Sequence, residues 1–253
     1  MSVHIAEVLQ IFICIVTELP VMRSPIQILY LILVTDLAPS VALGLEPGEK
    51  TIMFDWPRPK AEPILLGWMW RSTVINALIL TGVILSVYIW ALYFYVNELN
   101  VKEIAKMVQD PENNGEAFRG LERARTVAFI SLVWAENVRA YTSRSFDQPV
   151  WVDTFTNPYM QRAIAIAETA LFVAVLVPGI TTVLRLDGFS VGWIGWLIAF
   201  IGAVAVLIIC EFYKFGIRLW NRLPCTGAID HGKGSDSTSS DDESSRDVED
   251  ERE

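Results

Sequence analysis

The chain has 253 residues, 53% of them hydrophobic, and a mean hydropathy of +0.39 in spite of a charged C-terminal tail; this is the composition of an integral membrane protein. Its formal charge of −9 is concentrated in Asp230–Glu253, where ten acids stand against three bases, so the remaining body is nearly balanced and nothing points to nucleic acid. The three cysteines, Cys14, Cys210 and Cys225, make neither a disulfide framework nor a metal-ligand spacing, and Met-Ser-Val-His at the start carries no basic region or cleavage site of a signal peptide.

Hydropathy predicts an all-α polytopic membrane protein with about six transmembrane helices, at roughly 3–19, 26–45, 67–96, 122–142, 163–184 and 191–213. These form one membrane domain over 1–223, followed by a disordered acidic tail over 224–253. Membrane lipid is therefore an expected partner. The first segment is short for a span and places His4, Glu7, Gln10 and Cys14 three, three and four residues apart. That spacing puts all four on one helical face, which should meet protein or water rather than lipid. Glu18-Leu19-Pro20 ends the helix and Met22–Pro25 makes a tight return, so the first two spans form a hairpin that brings Glu7 towards Asp36.

The second span contains Leu31-Ile32-Leu33-Val34-Thr35-Asp36-Leu37-Ala38-Pro39. An unpaired carboxylate at bilayer depth costs about 2.5–3.5 kcal/mol even on mild insertion scales. Pro39 cannot donate to the Thr35 carbonyl, and its ring pushes against it, so the helix is expected to break there. A free carbonyl beside a carboxylate suits a hard cation, and broken helices at mid-membrane are a recurring way to build an ion site. The alternative is a proline kink with a structurally hydrogen-bonded aspartate.

Pro, Lys, Arg, Asp and Glu between Glu46 and Pro63 mark a loop. The third span, Gly67–Val96, has Trp68 and Trp70 near one end and Trp90 near the other, which matches two interfacial belts, although Trp is also common in helix packing. Asn97–Leu121 reads as a polar loop. The fourth segment is the weakest: only Thr126–Ala135 is free of charge before Glu136, Asn137 and Arg139, which is too short to face lipid throughout. It is a span only if buried. Glu136 either serves as a cation ligand or pairs with Arg139 three residues on.

Ser143–Tyr159 has turn signals, and the fifth span should bend at Pro178-Gly179. Glu168 and Glu211, near helix ends, suit snorkelling or local pairing. Lys50, Arg58 and Lys60 after the second span, Arg144 after the fourth, and Lys214, Arg218 and Arg222 after the sixth place those ends and the tail in the cytosol. The long loop with Lys102 and Lys106 runs against this pattern. Ser239, Ser240 and Ser244 each have an acid three residues on, a pattern acid-directed kinases favour. A purely solubilising tail is the alternative.

Leu19-Pro20, Pro25-Ile26-Gln27, Leu33-Val34-Thr35-Asp36, Ala42-Leu43-Gly44-Leu45, Ile52-Met53, Pro57-Arg58-Pro59 and Glu62-Pro63-Ile64 occur in that order. The series resembles the C-terminal membrane half of P-type cation-transporting ATPases, nearest to the sarco/endoplasmic reticulum calcium pump and its type II relatives, from about Val3 to Trp220. The resemblance implies that the six spans look like the fifth to tenth helices of such a pump, in the endoplasmic reticulum or plasma membrane. It implies that Glu7 matches a fifth-helix ligand, with His4 where those pumps carry an asparagine. Thr35 and Asp36 match sixth-helix ligands, and Glu136 an eighth-helix acid. Ile32 replaces a further asparagine ligand and Arg139 a polar neighbour, which leaves sodium, a single calcium or a proton as the transported cation. An arginine near the acids could act as a fixed countercharge.

The Asp-Lys-Thr-Gly-Thr phosphorylation motif is nowhere in the chain, and no Gly-rich phosphate loop replaces it. The expectation is that these residues alone do not hydrolyse ATP. Magnesium and ATP would act only through the remaining domains of a P-type ATPase, in a partner chain or upstream. Met1 falling within the fifth helix points to a fragment, a split gene or a degenerate remnant. Two other classes remain: a non-enzymatic membrane protein that associates with or regulates pumps, and a passive cation pathway.

Overall fold

The computed structural model describes residues 1–45, 67–96, 115–143 and 157–222. The acidic tail, its serines and the linker after the second span lie outside them. The described residues form helices with no strand among them: α1 (Ser2–Val16), α2 (Pro25–Tyr30), a π-helical segment (Leu31–Asp36), α3 (Leu37–Gly44), α4 (Gly67–Val96), α5 (Gly115–Thr142), α6 (Pro158–Leu176), α7 (Pro178–Leu184) and α8 (Gly192–Arg222).

Local chemistry sets most of these limits. Ser24 and Gln27 form a reciprocal capping box with Pro25 in the first turn of α2. The Asn157 side chain caps α6 by accepting from the Tyr159 and Met160 amides, ahead of Pro158. Val177, extended at φ −83° and ψ 116° because Pro178 follows it, separates α6 from α7. The expected bend at Pro178-Gly179 is thus a full break. Arg185, in the left-handed region at φ 52°, ends α7.

Among the described residues, four helical stretches are long and apolar enough to cross a membrane: Pro25–Gly44, Met69–Val96, Pro158–Leu176 and Gly192–Ile217. The other two expected spans fall short for different reasons. α1 has 15 residues, about 22 Å of rise against a hydrocarbon core of about 30 Å. α5 has 28 residues, ample length, but is too polar to qualify. It also begins at Gly115, so the end of the expected polar loop is its first two turns.

α5 is nonetheless the centre of the molecule. It packs most extensively on α8 and then on α4, and those two also pack on each other. Ala124, Val127, Ala128, Phe129, Ile130, Leu132, Val133 and Ala135 are all essentially inaccessible. Burial by neighbouring helices removes the need for a lipid-compatible surface, which is how a polar helix comes to occupy this position. Around this core α1 lies on α4, while the π-helical segment and α3 lie on α6. The two arms of the N-terminal hairpin are therefore splayed onto different supports. Thr81 donates to the Ala6 carbonyl and Tyr88 to the Pro20 carbonyl, and Arg125 Nε donates to the Val21 carbonyl. Gln27 and Tyr30 tie the other arm to the Leu184 and Ala170 carbonyls.

The outer surface carries exposed Phe12, Leu33, Trp90, Phe172, Phe200 and Phe212, an apolar exterior that only lipid would cover at this extent. Trp70 and Trp90 both face outward near opposite ends of α4. Between α8 and its neighbours the approach is close. A Cβ at Gly202 would stand 2.6 Å from Ser131 Oγ and 2.6 Å from Val87 Cγ2, so the small residue sets the helix spacing. We expect Gly202→Leu to destabilise the folded protein by about 1–3 kcal/mol, read as a lowered melting temperature of the detergent-purified chain. Gly216→Leu, at a position with open space around it, should leave the melt unchanged.

Candidate functional site

The chain approaches the site through a widened helix. The π-helical Leu31–Asp36 ends three residues before Pro39, whose ring cannot donate to the Thr35 carbonyl four residues back. The helix does not unwind there, as the sequence suggested it would. It opens its register from i+4 to i+5 and then resumes as α3. Thr35 is buried, and its hydroxyl donates back to the Leu31 carbonyl at 2.7 Å, leaving the oxygen lone pairs for another partner. Ile32, where the resemblance implied a ligand position, is 45% exposed and does not line the cavity.

α1 contributes the facing wall. Glu7, Gln10 and Cys14 are buried along the expected stripe, whereas His4 is half exposed. Single ligand atoms of His4, Glu7 and Asp36 lie within 4.8 Å of one another. His4 Nδ1 is 3.3 Å from Glu7 Oε2 and 3.9 Å from Asp36 Oδ2. The third acid comes from α5. Glu136 is 6% exposed, and neither of its carboxylate oxygens has a hydrogen-bond donor; Asp36 Oδ2 has none either. A cavity of about 180 Å³ opens between these elements, lined by His4, Thr35, Asp36, Glu136, Asn137 and Arg139 among others.

Unsatisfied buried carboxylate oxygens are costly, and native proteins keep them where something else supplies the missing charge or hydrogen. Three such oxygens and a threonine hydroxyl around one cavity form a donor set of hard oxygens, suited to sodium or calcium, with histidine beside it.

Two expectations about arginine are corrected. Arg139 does not pair with Glu136, nor does it act as the countercharge to the acids. Its guanidinium turns to the start of α1, where Nε and Nη2 lie 3.2 and 2.6 Å from Ser2 Oγ. The cation among the acids is Arg23, from the return between α1 and α2. It is 2% exposed, and it donates from Nη1 to Glu7 Oε1 at 3.2 Å and from Nη2 to Gln10 Oε1. Sequence reasoning counted Arg23 only as a loop charge. A lone arginine in a short return between two apolar helices, opposite a buried Glu-x-x-Gln stripe, is the signal that was available.

Glu168 and Glu211 stand apart from the cavity. Glu168 accepts from Trp134 Nε1 at 3.0 Å and Asn137 Nδ2 at 2.7 Å, and Glu211 lies 3.4 Å from Lys214. Glu168→Ala should therefore cost about 1–3 kcal/mol by orphaning the Trp134 and Asn137 donors. We expect a lower melting temperature with cation binding unchanged once the protein is folded.

Residues 20–216 match the family profile described as "Cation transporting ATPase, C-terminus". That range takes in Arg23, Thr35, Asp36 and Glu136; α1 precedes it. Similar curated proteins include P-type sodium-transporting ATPase4 of Plasmodium falciparum, 24% identical over 83% of this chain and 25% of that protein. Endoplasmic reticulum calcium ATPase srcA of Aspergillus fumigatus is 26% identical over 88% of this chain and 24% of its own length. Calcium-transporting ATPase 1 of Bacillus cereus is 22% identical over 85% and 23%. The chain thus spans about a quarter of the length of the curated relatives it matches.

Proposed function

The chain belongs to the cation-transporting ATPases through their C-terminal membrane region, and from that premise we propose that it is the cation-binding and translocation part of a P-type pump. Thr35, Asp36 and Glu136, with His4 and Glu7 beside them, receive the transported ion. The observation that carries this reading is the set of three buried carboxylate oxygens, on Asp36 and Glu136, that reach a common cavity with no donor to satisfy them. A cation entering the cavity supplies what they lack. Sodium, a single calcium and a proton each suit such a site, and the relatives named for sodium and for calcium support the first two.

The membrane region of 1–223 acts with a cytosolic acidic tail, in the endoplasmic reticulum or plasma membrane. Phosphorylation in the other domains of a P-type ATPase, which carry the nucleotide chemistry with magnesium, drives the cavity between its two faces. The purified 253-residue chain should show no cation-stimulated ATP hydrolysis, because it contains no phosphorylation motif.

The test is a thermal melt of the detergent-purified chain with sodium, calcium or choline as the chloride salt at equal ionic strength. A ligand that binds only the folded state at about 100 times its Kd stabilises by about 2.7 kcal/mol. One of the two metal cations should raise the melting temperature above choline. Equal melts in all three salts would remove the metal-cation reading and leave the proton. Cation flux from liposomes without ATP would instead indicate a passive pathway.

A further inference from the structure

We propose that Arg23 is a built-in cation that permanently neutralises Glu7, so that the transported ion is held by Asp36 and Glu136 with Thr35 and not by Glu7. This rests on the cation-site reading above and narrows it.

The three acids lie together, but they differ in their hydrogen-bond partners. Both Glu7 oxygens are committed, Oε1 to Arg23 at 3.2 Å and Oε2 to His4 at 3.3 Å. The guanidinium is buried and held at two points, on Glu7 and Gln10. Arginine stays charged under all conditions of interest, and its planar fork is suited to such a fixed two-point hold. It comes from the return that joins the two arms of the hairpin, so it is tied covalently to both walls of the site. By contrast, Asp36 Oδ2 and both Glu136 oxygens have no donor. The cavity makes the same division, since Asp36 and Glu136 line it and, among the described residues, Glu7 does not.

Charge then limits the cargo. Glu7 and Arg23 cancel, and Asp36 with Glu136, in a cavity that Arg139 also lines, can balance at most two positive charges. The upper limit is one divalent ion, or one sodium with one proton. A second metal ion on Glu7 would have to displace a tethered guanidinium.

Removing the arginine should therefore strengthen cation binding, the reverse of what loss of a purely structural residue does. Equilibrium binding of radioactive calcium, with sodium in parallel, is measured on the purified full chain. We expect Arg23→Gln to bind about tenfold more tightly, because Glu7 joins the site, and its melting temperature to depend on the cation more steeply than that of the wild type. The double variant Glu7→Gln with Arg23→Gln should return within about threefold of wild-type affinity, and Arg23→Lys, which keeps the charge but loses the two-point hold, should stay closer to the wild type than Arg23→Gln does.

Weaker or unchanged binding by folded Arg23→Gln would overturn the assignment. So would a double variant that loses binding, since Glu7 would then be a ligand. If Arg23→Gln alone does not fold, the double variant and Arg23→Lys, which each leave the charge balance intact, decide the matter. Wild-type protein that binds neither cation, or unaltered binding by Asp36→Asn, would overturn the site reading itself and this inference with it. The two failures are therefore distinguishable.

Discussion

Asp36→Asn should reduce cation affinity by about 100-fold or more while the protein inserts and folds normally. Groups that only support a ligand from behind are worth about 10–100-fold in metal affinity, and Asp36 faces the cavity directly with an oxygen that no donor reaches. Asparagine keeps the size and one carbonyl oxygen, so the π-helical turn and the packing of α3 on α6 have no reason to change. It also removes a charge from an apolar helix, which makes membrane insertion easier. The check is a pair of measurements on one preparation: cation binding, and the melt in choline. Lost binding with a retained melt is the expected result, and unaltered binding would take Asp36 out of the site.

The second large effect has the opposite sign in stability. Glu136→Gln should raise the cation-free melting temperature while abolishing its rise on cation addition. Glu136 is buried with two oxygens unsatisfied. The amide that replaces it is uncharged and brings donors that can reach Asp36, a change worth about 1–3 kcal/mol in the cation-free protein. The same change removes a charge that the cation needs. A residue kept against the interest of stability is what a functional site produces. A lower cation-free melt in this variant would mean that Glu136 has a structural partner instead.

The features legible in the sequence were those with local causes. Gly67–Val96, the disturbance at Pro178 and the tight return before α2 follow from glycine and proline acting within a few positions. The juxtaposition of Glu7 and Asp36 followed from a short return between two apolar runs. What was not legible depended on geometry across the chain. Pro39 announces a disturbed helix, but whether the backbone unwinds or widens into a π turn depends on the packing against α6, which no local signal encodes. Arg23 reaches a carboxylate sixteen residues away in sequence, and that contact exists only once the return has its final shape. Arg139 had an acid one turn away and took Ser2 instead, because its face of α5 meets the start of α1. Hydropathy ranked α5 last among the spans, and it is the most deeply buried of them.

That ranking has a consequence for how the protein is made. A helix bearing Glu122, Arg123, Arg125, Glu136 and Arg139 partitions poorly into lipid by itself, since each such charge at mid-depth opposes release from the insertion machinery. α4 is synthesised before it and offers one covering surface, but the larger contact is with α8, the last of the described helices to emerge. Membrane integration is therefore a collective event. We expect α5 to be fully covered only when α8 packs against it. Nascent chains that stop short of α8 are left with an uncovered polar helix in the bilayer, the kind of surface that membrane quality control removes.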